Sequence, residues 1–179
     1  MTATDLTEQI DTEQIETELT ETTQTGTAQT ETAPRHLTPQ VRAQLVTGTQ
    51  VHVTAGSHEF TIDEPAGLGG TDLGANPVEH LLAALGACQV ITFQVWAGTL
   101  GIRLESVDVQ LSGHLDLRGF FGTAADVRPG FDGIQVDVRI TGPETRERYD
   151  ALVAAVEEHC PVLDNLRSRV PVETVVTVG

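Results

Sequence analysis

Residues 81–97, LLAALGACQVITFQVWA, are apolar nearly all round. A helix with no polar face has to be covered on every side, so the remainder of the chain must be built around this run. It reaches only the short limit of a bilayer span, and Gln89, Thr92 and Gln94 interrupt it. The reading is therefore a central helix in a soluble core. Ala83, Ala84, Gly86 and Ala87 are small and let another element approach closely. Asn76 and Pro77 supply an N-cap and a first helical residue whose missing N–H has no intrahelical partner. Glu79 at the third helical position completes a capping-box arrangement.

The segments on either side are patterned as strands. VRAQLVTG and TQVHVTAG predict a hairpin with its turn near Thr47-Gly48-Thr49, and HEFTID predicts a third strand. Pro65 ends that strand. The Gly-rich stretch AGLGGTDLGA lacks the lysine of a phosphate loop and the GxGxxG spacing, so it is read as a flexible connection. After the central helix, 103–117 alternates like a long strand and a loop follows, with Phe120 and Phe121. Residues 133–142 alternate again. GPETRERYDALVAAVEEHC predicts a second helix with Tyr149, Leu152, Val153, Val156 and Cys160 on one inward stripe. VPVETVVTV predicts a closing strand. Three strands, helix, two strands, helix, strand is an α+β order.

Charge and cysteine usage narrow the function classes. The chain of 179 residues is long enough for one sizeable core. Its ten basic residues are all arginines, against 26 acidic ones, for a net charge of −16. Such a surface repels phosphate backbones and anionic lipid, so neither nucleic acid nor membrane is an expected partner. Residues 1–36 are rich in Thr, Glu and Gln, with eight acidic residues before Arg35, and are expected to be a disordered acidic tail ahead of one domain over 37–179. The N-terminus has neither a secretory nor an Arg-rich transit pattern, so the cytoplasm is expected. Two cysteines are too few for a disulfide scaffold.

Cys88 lies within the central helix and Cys160 at the end of the second stripe. A buried cysteine is by default a small hydrophobe, and each alone reads that way. Together they lie on two helices that the pattern drives inward, so an inert pair and a redox pair both stand. In a redox pair, peroxide would convert Cys88 to a sulfenic acid, and a nearby thiol would condense with it. His80 and His159 flank these cysteines in sequence without a recurrent zinc spacing, and no metal site is expected. No Ser-His-Asp arrangement is present.

The stretch LGGTDLGANPVEHLLAALGAC, followed later by HCPVLDNL, resembles the two signature segments of the OsmC/Ohr family. The first matches an N-P-x-E-L-L-x-A-A-x-x-A-C style helix, with Cys88 on the peroxidatic position. The second matches the C-P-x segment, with Cys160 on the resolving position. The order of elements also agrees over residues 40–179. The resemblance implies an OsmC-like fold, with antiparallel sheets wrapping two central helices in an intertwined homodimer. It implies a thiol-dependent peroxidase that reduces organic hydroperoxides and is returned to the dithiol by a small or lipoyl-type thiol, with no metal or nucleotide cofactor.

Two positions depart from the pattern. The family's glutamate ten residues before the cysteine is Val78 here, and Glu79 is its neighbour. Nine residues turn a regular helix through about 180°, so Glu79 stands between a capping and a catalytic role. The family's arginine comes from the first hairpin turn, which has none here. Arg42 on the first strand is the nearest candidate, and Arg103 another. Those departures favour a rival function, an OsmC-like protein that binds an apolar ligand at the dimer interface with little turnover. The two retained cysteines favour the peroxidase.

Overall fold

A computed structural model describes residues 35–179. The acidic tail lies outside the described residues except for its last two positions.

Among the described residues, five strands form two antiparallel sheets. In the first, β1 (Val41–Thr47), β2 (Gln50–Ala55) and β3 (His58–Ile62) follow one another in order. Val41 pairs with Ala55 and Val51 with Ile62, so both hairpins are tight. The expected first turn forms at Gly48, whose φ of 56° lies in the left-handed region that glycine enters without steric cost. β1 is exposed along its whole length, whereas β2 buries Val53. The second sheet pairs β4 (Ser106–His114) with β5 (Gly133–Thr141), Ser106 opposite Thr141. β4 is shorter than the alternation over 103–117 predicts: Asp116 caps a short helix, α2 (Leu117–Phe120), which takes up the expected end of the strand and the start of the expected loop.

The Gly-rich connection is fastened, not free. Asp63 is buried at the end of β3 and accepts hydrogen bonds from the Thr49 hydroxyl (2.6 Å), the Thr71 hydroxyl (2.6 Å) and the backbone N–H groups of Glu64, Thr71 and Leu73. The Thr49 and Thr71 hydroxyls, aided by the backbone donors, hold its carboxyl well below the usual carboxylate range. One carboxylate thus ties the first hairpin turn to the loop that leads into the central helix. At Gly70 the backbone runs so close to the Glu64 carbonyl that a Cβ would collide with it.

The central helix, α1, spans Pro77–Leu100. Its start is as expected: Asn76 Oδ1 accepts from the Glu79 N–H at 2.9 Å, and Glu79 Oε2 accepts from the Asn76 N–H at 2.8 Å. Gly101, at φ 61°, ends it. By length and composition α1 could cross a membrane; in this fold it packs on β4, on α3 (Arg146–His159) and on α4 (Pro161–Arg167). Phe93 and Ala97 meet Ile102, Leu152 and Val156 in one buried cluster. Leu85 meets Cys160 and Leu163 in a second. Full burial of side chains such as Phe93 and Leu152 contributes about 1.5–3 kcal/mol each.

Two expectations need correction. α1 is not covered on all sides within one chain: Ala84, Ala87, Ile91, Val95 and Gly98 leave an exposed small-and-apolar stripe, with Ile91 63% and Val95 58% exposed. The closing strand does not form either. Residues 168–179 have no regular structure, and Val172 and Val178 are almost fully exposed. Among the described residues this segment pairs with no strand, so its backbone groups gain no ladder partner.

Candidate thiol site

The second helix was expected to run through Cys160, but it stops one residue earlier. Cys160 has φ −79° and ψ 109°, an extended conformation, because Pro161 disfavours a helical residue before it. The proline then starts α4, so Cys160 is at once the end of α3 and the cap of α4. Its N–H still donates to the Val156 carbonyl at 3.0 Å, and its carbonyl accepts from the Asp164 N–H at 3.0 Å. The side chain stays on the inward stripe with Leu152 and Val156, and only 1% of the residue is exposed.

Cys88 comes from the fourth turn of α1. It lies between the buried face that carries Leu85 and the exposed face that carries Ile91, and is itself half-buried. The Thr92 hydroxyl donates back to its carbonyl at 2.7 Å. The two sulfurs are 3.3 Å apart, with the Cys160 thiol donating to Cys88 Sγ. Both are free thiols. Burial pushes the Cys160 thiol up, and its contact with Cys88 adds to this. The N–H groups of Leu163 and Val162, at the start of α4, oppose the shift without reversing it. Cys160 is thus held in its thiol form to higher pH than a free cysteine, and Cys88, half-buried, accepts its hydrogen bond. Closing a disulfide from here requires an approach of only about 1.3 Å, since the bond length is about 2.05 Å.

The remaining candidates lie elsewhere. Glu79 is held in the cap of α1, and its carboxylate makes no contact with either cysteine among the described residues. Arg42 is exposed on β1 and makes no hydrogen bond or ion pair among the described residues. Arg103 faces Glu144 at 3.6 Å, and its N–H donates to the same carboxylate, which joins the start of β4 to that of α3. His80 packs on Phe60 of β3 with ring centroids 5.2 Å apart. His159 stacks flat on Trp96 at 4.1 Å and 5°, clamping the end of α3 to α1 one residue before Cys160. Sequence spacing gave no sign of that stack, because Trp96 and His159 lie on different helices. Among the described residues no group of three or more His, Cys, Asp or Glu is arranged to hold a metal ion.

A buried thiol held protonated to higher pH, in contact with a half-buried one on a helix backed by antiparallel sheet, defines a two-cysteine thiol protein of α+β class. The chain belongs to the OsmC-like protein family, whose model matches residues 69–175. Among solved structures, an OsmC-like protein from Mycoplasma pneumoniae superposes with a TM-score of 0.65 at 19% identity, over 74% of this chain and 89% of that one. An organic hydroperoxide resistance protein OsmC from Legionella pneumophila gives 0.58 at 26% identity, over 75% and 92%. The organic hydroperoxide resistance protein OhrB of Bacillus subtilis gives 0.51 at 28% identity, over 73% and 91%. Comparison with curated protein sequences gives no match.

Proposed function

We propose that this protein is a thiol-dependent peroxidase that reduces organic hydroperoxides through Cys88 and Cys160. The observation that carries the reading is the 3.3 Å contact between a half-buried thiol and a buried one held in its thiol form to higher pH than a free cysteine. The Legionella and Bacillus proteins, both described as organic hydroperoxide resistance proteins, support the substrate class.

The chemistry balances with two thiols and no cofactor. Cys88, as thiolate, attacks the distal oxygen of ROOH; the O–O bond breaks, and the alkoxide takes a proton and leaves as ROH. Cys88 is now a sulfenic acid. Cys160 attacks its sulfur, the S–O bond breaks, and water leaves with the Cys160 proton as the disulfide forms. An external dithiol, such as a lipoyl-type thiol, then exchanges with the disulfide and is oxidised in its place. Dependence on such a reductant suits a cytoplasmic location.

The working form is a homodimer. The uncovered stripe of α1, the exposed strand β1 and the valine-rich segment after residue 168 are three surfaces that a second copy would cover. Replacing Ile91 by Glu is expected to convert the dimer to monomer in sedimentation. A wild-type monomer would refute this part.

One observation favours a second reading, a binding protein with little turnover. No arginine or glutamate makes a hydrogen bond or ion pair with Cys88 among the described residues, so none of them activates it as a pair of charged partners would. One experiment separates the two. Organic hydroperoxide consumption is followed with dithiothreitol or dihydrolipoamide, for wild type, Cys88→Ser and Cys160→Ser, with thiol mapping by mass spectrometry. The peroxidase predicts turnover lost in Cys88→Ser and a Cys88–Cys160 disulfide after one equivalent of peroxide. Wild type no faster than Cys88→Ser, with no disulfide, would select the binding protein.

A further inference from the structure

A cleft of about 510 Å³ lies at the start of α1, bounded by the first hairpin turn, the Gly-rich connection, the end of β4 and α2. Its volume is within the range of small-molecule sites. Leu68, Val78, Leu115, Leu117, Phe120 and Phe121 supply most of its wall, and neither cysteine lines it. The wall is open to an incoming molecule, since Phe120 is 68% and Phe121 58% exposed.

Charge separates the ligands that such a wall would take. The Thr49 hydroxyl in the lining donates to Asp63, and Asn76 Oδ1 accepts from the Glu79 N–H, so both are already used. Glu64 differs. Its N–H donates to Asp63 and its carbonyl accepts from the Asp72 N–H, but its carboxylate makes no hydrogen bond or ion pair among the described residues. It is the one acidic residue of the lining, which holds His114 but no lysine or arginine. Arg118, beside the phenylalanines in sequence, is bound to Asp116 at 2.6 Å. The N-terminus of α1 would by itself favour an anion, but it already holds the Glu79 carboxylate. An anion would therefore meet Glu64 and a chain of net charge −16, whereas a cation is drawn in by both. The rings of Phe120 and Phe121, with centroids 5.1 Å apart and planes at 70°, add aromatic wall in two orientations, and aromatic faces attract an ammonium.

We infer that this cleft is a binding site for an organic cation with an apolar body, of the class of an aryl quaternary ammonium. Its charge is met by Glu64 and the aromatic pair, and its apolar part lies against Leu115 and Leu117. The site is separate from the thiols and holds its ligand whether or not the peroxidase reading stands.

The test is calorimetric titration of the full chain with (3-hydroxyphenyl)trimethylammonium and with 3-tert-butylphenol, which has the same shape without the charge. Wild type is expected to bind the cation about tenfold or more tightly than the neutral phenol, with one site per chain. Glu64→Gln should remove most of that preference, and it spares the fold because only the backbone of Glu64 is engaged. Replacing Phe120 and Phe121 together by alanine should weaken the cation more than the neutral phenol. Tetramethylammonium, which has the charge without the apolar body, should bind far more weakly than the aryl cation. Equal affinity for the two phenols, no binding of the cation, or a preference unchanged in either variant would each overturn the inference. So would tetramethylammonium binding as tightly as the aryl cation, the result expected of net charge alone. No hydroperoxide is present in this titration, so its outcome is distinct from that of the peroxidase assay.

Discussion

Oxidation of the thiol pair should stabilise the chain by an amount set by the topology. Cys88 and Cys160 are separated by 72 positions, so a bond between them removes a long loop from the unfolded ensemble. The chain-entropy relation assigns a loop of that length about 4 kcal/mol at 25 °C. Native strain subtracts from this figure, and the sulfurs begin 3.3 Å apart. In a domain of this size 1 kcal/mol corresponds to about 2–4 °C, which gives a rise in Tm of about 8–16 °C. The assay is differential scanning calorimetry of reduced protein and of protein treated with one equivalent of an organic hydroperoxide. Protein concentration is held equal, since dimer formation also moves Tm. Cys160→Ser serves as control, because it oxidises at Cys88 but cannot close the loop. A rise in wild type that is absent from the control supports the reasoning. No rise despite a disulfide proven by mass spectrometry would show that the 3.3 Å contact is not a relaxed precursor of the bond.

Three further predictions concern stability. The Cys160 thiol is raised in the folded state by burial, so it contributes stability that is full below the ordinary thiol pKa of about 8.5 and is lost as pH climbs through the raised folded value. Denaturant midpoints of the reduced wild type should therefore fall in the alkaline range more steeply than those of Cys160→Ala. Asp63 has the opposite sign: its carboxyl is lowered by the Thr49 and Thr71 hydroxyls, so its contribution is present above the ordinary carboxylate pKa and fades as pH falls toward the lowered one. Asp63→Asn should be less stable than wild type at neutral pH, with the gap narrowing in acid; a constant gap from neutral pH into strong acid would refute this. Leu152→Ala, at a position with no exposed surface, should lower stability by about 2–5 kcal/mol in urea unfolding.

The parts of the fold legible in the sequence are those governed by local rules. The cap at Asn76 and Glu79, the Gly48 turn and the inward stripe of Leu152, Val156 and Cys160 all depend on neighbours a few residues apart. The cysteine pair was legible as a pair, though its separation was not, because residues 72 positions apart are brought together by packing alone. The break at Cys160 could be read from Pro161 with hindsight, since the residue before a proline resists the helical region. The Asp63 knot was illegible for a different reason. Its donors come from Thr49, Glu64, Thr71 and Leu73, and no periodicity marks an aspartate that gathers a turn and a loop. Glycines then misled: several in one short stretch suggest freedom, whereas Gly70 is there to let the backbone pass close to Glu64.

The expectations that failed within one chain share a cause. A helix apolar all round and a closing strand were inferred from residues that want to be covered, and the pattern does not say which molecule covers them. In the single chain the stripe of Ile91 and Val95, all of β1 and the valines after residue 168 remain in water, which no isolated domain of this size gains by exposing. Cys88 is half-buried at the border of that stripe, so whatever covers Ile91 also sets the route by which peroxide reaches the sulfur. If a second copy covers the exposed β1, Arg42 would lie in that contact, and it could then stand in for the arginine that the hairpin turn lacks. Hydroperoxide turnover should then depend on protein concentration, rising as dimer forms, and mixing inactive Cys88→Ser with wild type should leave activity in the mixed dimers that Arg42→Ala on the same subunit as Cys88→Ser removes. Activity that is independent of concentration down to the monomer would place the whole thiol chemistry within one chain, and Arg42 outside it.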